Sequence, residues 1–506
     1  MQLNSAPSLS YDLQQWSQGY QSQPHEYDYW IEDIEGEIPQ DLDGTLLRNG
    51  PGLLDIGGYP IAHPFDGDGM VSAIAFRGGR AHYRNRFVRT QGYVEEQKAG
   101  KPLYRGVFGT QKPGGWLANL FDLRIKNLAN THIIYWGDRL LALWEGAEPH
   151  RLDPQTLETL ALDHLDGLLK PGQAFSAHPK IDPYGDRTNP CLVNFSIQPG
   201  LKSQLTIWEL NRNGQPLRQS THEIPGFCFI HDFAITPQYY VFFQNPVSFN
   251  PFPFFLGLRG PGECINFDRQ NPTQVWVIPR QGNQPIKKIE VNSGFVFHHV
   301  NAFEEGNQIV VDSIGYESFP EVEPGSDFRY TDFNQLAPSQ LWRFRLDLNH
   351  KRGDNAPHRW RDRQLLESRC CEFPQIHPQW VGKSHRYVYL GAAHHHQGSA
   401  PLQGILKRDN QSGETQFWSA APHGFVSEPV FIPQPGSEGE DEGWIVSVVY
   451  ESQKHRSDII ILDAQNLERG PTARLHLQHH IPYGLHGSWI SNQQLGIGRS
   501  GVQTKH

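Results

Sequence analysis

Residues 131–145 read THIIYWGDRLLALWE. Two runs of β-branched, aromatic and aliphatic residues are punctuated there by Gly and Asp, which is the local signature of short strands joined by a turn. The same signal returns along the whole chain, in AHYRNRFVR (81–89), QLTIWEL (204–210), YYVFFQN (239–245), QVWVIPR (274–280), QLWRFRLDL (340–348), RYVYLGAA (386–393), QGILKRD (403–409), GWIVSVVYE (443–451) and DIIILDA (458–464). Period-two alternation is plain in QLWRFRLDL and RYVYLG, as expected of half-buried strands. Helical periodicity is weak, with WLANLFDLRIKNLA (116–129) as the main short candidate.

Outward from these strands, 49 Gly, 38 Pro and 12% aromatics among 506 residues describe a turn-rich β protein. Many short antiparallel strands with no clean split between halves point to an all-β closed or radial architecture, which removes or shelters sheet edges. A β-propeller fits best, and seven blades are supposed for its size. Seven blades would take roughly 70 residues each, more than a compact repeat of about 40–45. A pair of jelly rolls or sandwiches is the structural alternative. The polar, Gln- and Ser-rich residues 1–30 are expected to form a loosely ordered arm, and 31–506 one propeller domain. The Gly-, Pro- and aromatic-rich stretches 99–127, 245–265 and 315–340 are expected to gather over one end as a cap of loops and short helices.

A net charge of −10 and the lack of a Lys/Arg run exclude a nucleic-acid surface. Five cysteines, an odd number without a CxxC, indicate neither a disulfide framework nor a thiolate metal site, and fit a reducing cytoplasm. The N-terminus has no basic n-region followed by an apolar stretch, and no uncharged apolar run approaches the length of about 18 residues that would span a bilayer.

Of 25 histidines, most are expected to be surface or core hydrogen-bonding groups, the tract His394, His395 and His396 included. Four stand at the edges of apolar runs, where a strand end meets a turn: His178 in AFSAHPKIDP, His231 in FCFIHDFAIT, His298 in GFVFHHVNAFEE and His486 in PYGLHGSWI. Their separations of 53, 67 and 188 residues match about one, one and three blades. Innermost strands of different blades would bring all four rings to the axis. Four neutral imidazoles leave the full charge on an iron(II) ion and open positions around it, whereas zinc prefers a closed tetrahedron or three ligands and water. Ligating imidazoles need their second nitrogen held, commonly by a carboxylate. Glu145 in LLALWEG, Glu372 in RCCEFPQIHP and Glu428 in FVSEPVFIP sit in apolar or Pro-flanked contexts that suit that task; the plain alternative for each is a strand-end salt bridge. HPFDGDGMV (63–71) lacks the remaining ligands of a calcium loop and reads as a Gly turn. LLRNGPG (46–52) lacks the GK[ST] of a phosphate cradle.

The segments LLRNGPG, HPFDGDGMV, ANTHIIYWGDRLLALWEG, SAHPKIDP, HDFAIT, FHHVNAFEE, SEPVFIP and PYGLHGSW, in this order, resemble the carotenoid cleavage oxygenase family, and most closely its microbial apocarotenoid oxygenases. The resemblance runs from about residue 30 to the C-terminus. It implies a seven-bladed propeller with one iron(II) per chain, reached by an apolar tunnel under a loop cap. It implies His178, His231, His298 and His486 as ligands, with His298 taken over the adjacent His299. Glu145, Glu372 and Glu428 would orient three of the four rings, and Thr131 matches a family threonine whose methyl lies beside an open iron position. Stilbene-cleaving relatives place a lysine where this chain has Trp144, which favours a polyene substrate over a phenol.

The implied reaction takes dioxygen and splits one C=C bond of an apocarotenoid, at 15,15′, into two aldehydes such as retinal. A 9,10-cleaving or stilbene-cleaving oxygenase of the same family is the alternative. Trp144, Phe229 and Phe297 are the expected tunnel wall. The apolar cluster in NPVSFNPFPFFLGLRGPGECI (245–265) is expected to touch a membrane surface, so that the protein is cytoplasmic and peripherally membrane-associated. A propeller lactonase, which would centre on calcium with acidic ligands, and a non-catalytic binding propeller are the rival classes.

Overall fold

The computed structural model describes residues 10–186, 189–282, 284–319, 327–349 and 363–495. Seven antiparallel sheets account for nearly all the strands. From the inner edge outward, the first blade orders Gly487–Ser491, Gly44–Leu53, Asp68–Arg77, Arg80–Phe87 and Asp28–Trp30. The second runs His132–Trp136, Arg139–Leu143, His150–Leu152 and Thr159–Leu162, and the third begins at Lys180–Asp186. The fourth, fifth and sixth begin at Ala234–Ile235, Phe295–Glu305 and Cys371–Gln375. In the seventh, Gly424–Val426 and Val430–Pro433 both pair with Gly443–Glu451, and Ile34–Gly36 forms its outer edge.

Ring closure uses both ends of the chain. The C-terminal strand Gly487–Ser491 pairs with Gly44–Leu53 on the inside of blade one, while Ile34–Gly36 pairs with Pro471–His476 on the outside of blade seven. The core follows the same logic, being distributed over the seven blade interfaces. Leu46, Ile74 and Phe76 of blade one meet Val446, Val448 and Ile459 of blade seven. Leu47 and Val71 meet Ile133 and Leu140 across the next interface, and five further buried clusters fill the remaining ones. A blade is apolar on both faces and can bury them only against its neighbours, so the sheets are stable as a closed ring.

Buried ions lock some interfaces further. Arg280, on blade four, donates from Nε to Glu209 (2.7 Å) and from Nη1 to Asp182 (2.6 Å), both on blade three. Asp312 of blade five accepts bidentately from Arg343 (2.7 and 2.7 Å) and pairs with His385, which lies between the first two strands of blade six.

The structure departs from two expectations. The arm expected to be loose over 1–30 is packed from Ser10 onward. Asp12 caps the helix Leu13–Ser17 by accepting from the amides of Gln14 and Gln15, and Trp16 is buried against Tyr20, Phe333 and Tyr483. These aromatics give a Gln-rich segment a core of its own; residues 1–9 lie outside the described residues. The helical candidate 116–129 is helical only over Gly115–Asn119. Phe121 and Ala129 adopt φ of 56° and 44°, left-handed values that cannot continue an α-helix.

The loops 99–127 and 245–265 do gather. Buried Arg105 is the knot between them, donating to the carbonyls of Asp122 (2.9 Å), Phe254 (2.8 Å) and Arg259 (2.5 Å). The two acids of HPFDGDGMV also serve the cap. Asp66 accepts from the Phe108 amide (3.0 Å) and the Thr110 hydroxyl (2.8 Å), and Asp68 pairs with Lys126 (2.8 Å). The described part of 315–340 joins the N-terminal segment through Phe328 on Tyr20, with ring centroids 5.1 Å apart.

Candidate metal centre

Four blades each carry one histidine to the axis. His178 and His231 stand just before the innermost strands of blades three and four, and His486 just before that of blade one. His298 lies inside its strand, where the pairing register with Gln308–Tyr316 shifts on both sides of His299. A bulge at that point turns His298 out of the ladder and toward the axis, a common use of such irregularities. His299 faces the other way, its Nδ1 2.7 Å from the Ser313 hydroxyl and its ring against Phe243.

One ligand nitrogen from each of His178, His231, His298 and His486 lies within 4.8 Å of every other. Two nitrogens on opposite sides of one ion at about 2.1 Å would stand roughly 4.2 Å apart, so the cluster has the size of a single metal shell. The Nε2 atoms of His178 and His231 are 2.8 Å apart. His298 Nε2 is buried with no hydrogen-bond partner among the described residues, an arrangement costly unless a ligand meets it. The donor set is all imidazole, with neither thiolate nor carboxylate in it, which suits a borderline divalent transition metal and not calcium.

Three of the four rings are held from behind. His231 Nδ1 is 2.6 Å from Glu145, His298 Nδ1 is 2.5 Å from Glu372 and His486 Nδ1 is 2.8 Å from Glu428. The carboxylates come from blades two, six and seven, the three that supply no ligand. Each fixes ring orientation and favours the tautomer whose Nε2 lone pair faces the centre. Their own support differs. Glu372 also accepts from the Tyr316 hydroxyl (2.8 Å) and the Phe373 amide (2.8 Å). Glu428 accepts from Arg48 and from the Gly487 amide (2.8 Å). Burial pushes the Glu428 carboxyl up, but the neighbouring His486 ring and the Arg48 guanidinium bring it down to about 2. Burial and the neighbouring rings push His178 well below its ordinary value, and burial takes His486 to about 4 against the pull of Glu428. Both are therefore neutral, ligand-ready imidazoles at neutral pH.

Of the expected tunnel residues, Phe297 is against the site, its ring 5.3 Å from His231 and edge-on to it. Phe229 belongs to the same aromatic wall through Phe295 and Phe319. Trp144 is half-buried beside Glu145. Thr131 is buried, and its carbonyl accepts from the His486 amide (3.0 Å).

Sequence reasoning missed Tyr316, Phe319, Arg48 and Phe373. Phe373 packs on His298 (5.8 Å) and His486 (5.4 Å) with a φ of 55°, a conformation that costs a non-glycine residue of the order of 1 kcal/mol and concentrates at functional sites. Its position directly after Glu372 was the only signal available.

The family model described as "Retinal pigment epithelial membrane protein" matches residues 20–491. The apocarotenoid-15,15'-oxygenase of Synechocystis sp. is 57% identical over 489 residues, covering 96% of this chain and 98% of that protein. The lignostilbene-alpha,beta-dioxygenase isozyme III of Sphingomonas paucimobilis is 30% identical, with 92% and 94% covered. The solved structure of a cobalt-substituted Synechocystis apocarotenoid oxygenase superposes with a TM-score of 0.91 at 57% identity, covering 95% of this chain and 99% of that one. With a matching seven-bladed fold and a four-histidine centre in place, the chain belongs to the retinal pigment epithelial membrane protein family of carotenoid cleavage oxygenases.

Proposed function

We propose that this protein is an iron(II)-dependent dioxygenase that cleaves the 15,15′ double bond of an apocarotenoid to two aldehydes, one of them retinal. The observation that carries this reading is the convergence of His178, His231, His298 and His486, three of them backed by carboxylates, in a chain 57% identical to an apocarotenoid-15,15'-oxygenase. Bound iron(II) would supply dioxygen activation. The chain's own residues do the rest. Glu145, Glu372 and Glu428 keep His231, His298 and His486 oriented. Thr131, whose carbonyl accepts from the His486 amide, would line the site beside the bound metal. Phe297, Phe229, Phe295 and Phe319 form an apolar aromatic wall that favours a polyene and disfavours water. Trp144, in the place of a lysine, offers no cation to a phenol.

No side chain need act as general acid or base, since no proton is gained or lost when O₂ is added across one C=C bond to give two C=O groups. Specificity lies in how far the polyene slides before its reacting bond meets the centre. The test is incubation of the iron-loaded protein with an apocarotenal, with products separated and weighed by mass spectrometry. Retinal is expected. Ionone-type C13 products would move the protein to 9,10 cleavage, and resveratrol cleavage without action on apocarotenals would overturn the reading of Trp144.

We further propose that the cap touches a membrane. Phe252, Leu256 and Leu258 are exposed, as expected for 245–265, and they are joined by Trp116, Leu117, Phe121 and Leu123 of the other cap loop. The main-chain bond from the Phe121 amide to Phe255 O (2.9 Å) holds the two sets side by side. So dense an exposed apolar patch marks a binding surface. Among the described residues no helix is long and apolar enough to cross a membrane.

A further inference from the structure

Blade two supplies no ligand, yet it separates blade one, which carries His486, from blade three, which carries His178. At the start of its innermost strand stands a fifth histidine, His132. Its half-buried ring lies between the two cage histidines, 5.7 Å from His486 and 6.5 Å from His178 by centroid. Neither ring nitrogen faces the metal position. Nδ1 lies 2.7 Å from the carbonyl of Ala177, the residue before His178, and Nε2 lies 3.2 Å from the carbonyl of Gly487, the residue after His486. The surrounding main chain is stitched in the same sense. The His486 amide donates to Thr131 O (3.0 Å), the Ser488 hydroxyl donates to Ile133 O (2.7 Å), and Asn49 Nδ2 donates to His132 O (2.9 Å).

We propose that His132 is a positioning residue that packs between the segments bearing His178 and His486 and anchors the former through Ala177 O. His178 is the one cage histidine not backed by Glu145, Glu372 or Glu428. The His132 contact to Ala177 O therefore gives its segment the support that the other three obtain through their rings. The inference rests on the four-histidine metal site proposed above. A neutral imidazole carries one N–H and donates to one of these carbonyls at a time, the Ala177 oxygen being the nearer. An ordinary core histidine would do the same without affecting the metal, so the test must read the metal and not only the fold.

Wild type, His132→Phe and His132→Asn are to be loaded with cobalt(II). The visible ligand-field spectrum, the rate of metal release into excess chelator and the thermal midpoint are then measured in parallel. Phe keeps an aromatic ring in place but removes the hydrogen bond to Ala177 O, and Asn keeps an N–H donor without the ring. Loss of support around a metal commonly weakens binding by about 10–100-fold. His132→Phe is expected to release cobalt at least about 10-fold faster, with shifted bands, and His132→Asn about 3-fold faster, in the same direction. With iron, kcat should fall while KM stays within about twofold, because the apolar wall is untouched. If His132→Phe does not accumulate, the Asn variant decides by the same two readouts. Wild-type spectrum and release in either folded variant, whatever the thermal midpoint, would overturn the proposal. A wild type that binds neither cobalt nor iron would instead sink the metal site itself.

Discussion

Two adjacent histidines, 298 and 299, differ in what their rings meet. The bulge sends His298 to the axis with Glu372 behind it, and His299 into the sheet against Ser313 and Phe243. His298→Ala, like Ala at 178, 231 or 486, is expected to lose iron by metal analysis and to abolish cleavage. His299→Ala should keep its iron and substantial turnover, at a stability cost from the lost buried hydrogen bond of about 1–3 kcal/mol. Near-normal turnover in His298→Ala with iron supplied would remove it from the site.

A second prediction at this scale concerns acid. Burial raises the Asp312 carboxyl, but its hydrogen bonds from Arg343 and His385 hold it below the ordinary value. A depressed carboxylate stabilises the fold above its unfolded pKa of about 3.9, and that contribution is lost as pH falls below it. Asp312→Asn should lower the thermal midpoint at pH 7, since breaking a buried pair costs about 3–5 kcal/mol. It should also flatten the acid limb below about pH 4. Parallel acid limbs for the two proteins would show that Asp312 does not carry this dependence.

Among the elements, the two cap loops show how a surface can be composite. Each of 116–123 and 252–258 contributes exposed apolar side chains. Arg105 draws them together, and its guanidinium also stacks on Phe254 at 4.3 Å, so Phe254 serves the cap's own structure. The side chains free to enter lipid are therefore better represented by Phe121, Phe252 and Leu258. Burying each is worth roughly 1.5–3 kcal/mol, enough in concert for reversible adsorption. Changing all three to Ser should abolish co-sedimentation with liposomes while activity on detergent-dispersed substrate persists. Equal sedimentation of variant and wild type would refute the membrane contact.

Over the whole molecule, the N-terminal segment is a brace. Trp16 and Tyr20 pack on Tyr483, three residues before His486, and Gln15 reaches His423 (3.0 Å) and Ser452 (2.9 Å). Removing a buried large aromatic costs about 3–5 kcal/mol. Trp16→Ala should lower the urea midpoint accordingly. It should also reduce kcat, because the turn leading to His486 loses its backing. A variant with unchanged urea midpoint would mean that the arm merely lies on the ring.

Strand content and turns were legible in the sequence because each is a local pattern, written in runs such as THIIYWGDRLLALWE. The four clustered histidines were legible as candidates from their places at strand ends and spacings that echo the blade length, but it was the family resemblance that singled them out and chose His298 over His299. The three glutamates could be named but not paired with their rings. The pairs Glu145–His231, Glu372–His298 and Glu428–His486 span 86, 74 and 58 residues. Closing the ring brings distant blades to one axis, and separations of that kind leave no periodic trace. The same holds for His132 between the carbonyls of Ala177 and Gly487, for the left-handed Phe373, and for the two cap loops joined by Arg105. Local chemistry determined which side chains were available to this protein, and only the closed arrangement of seven blades decided which of them meet.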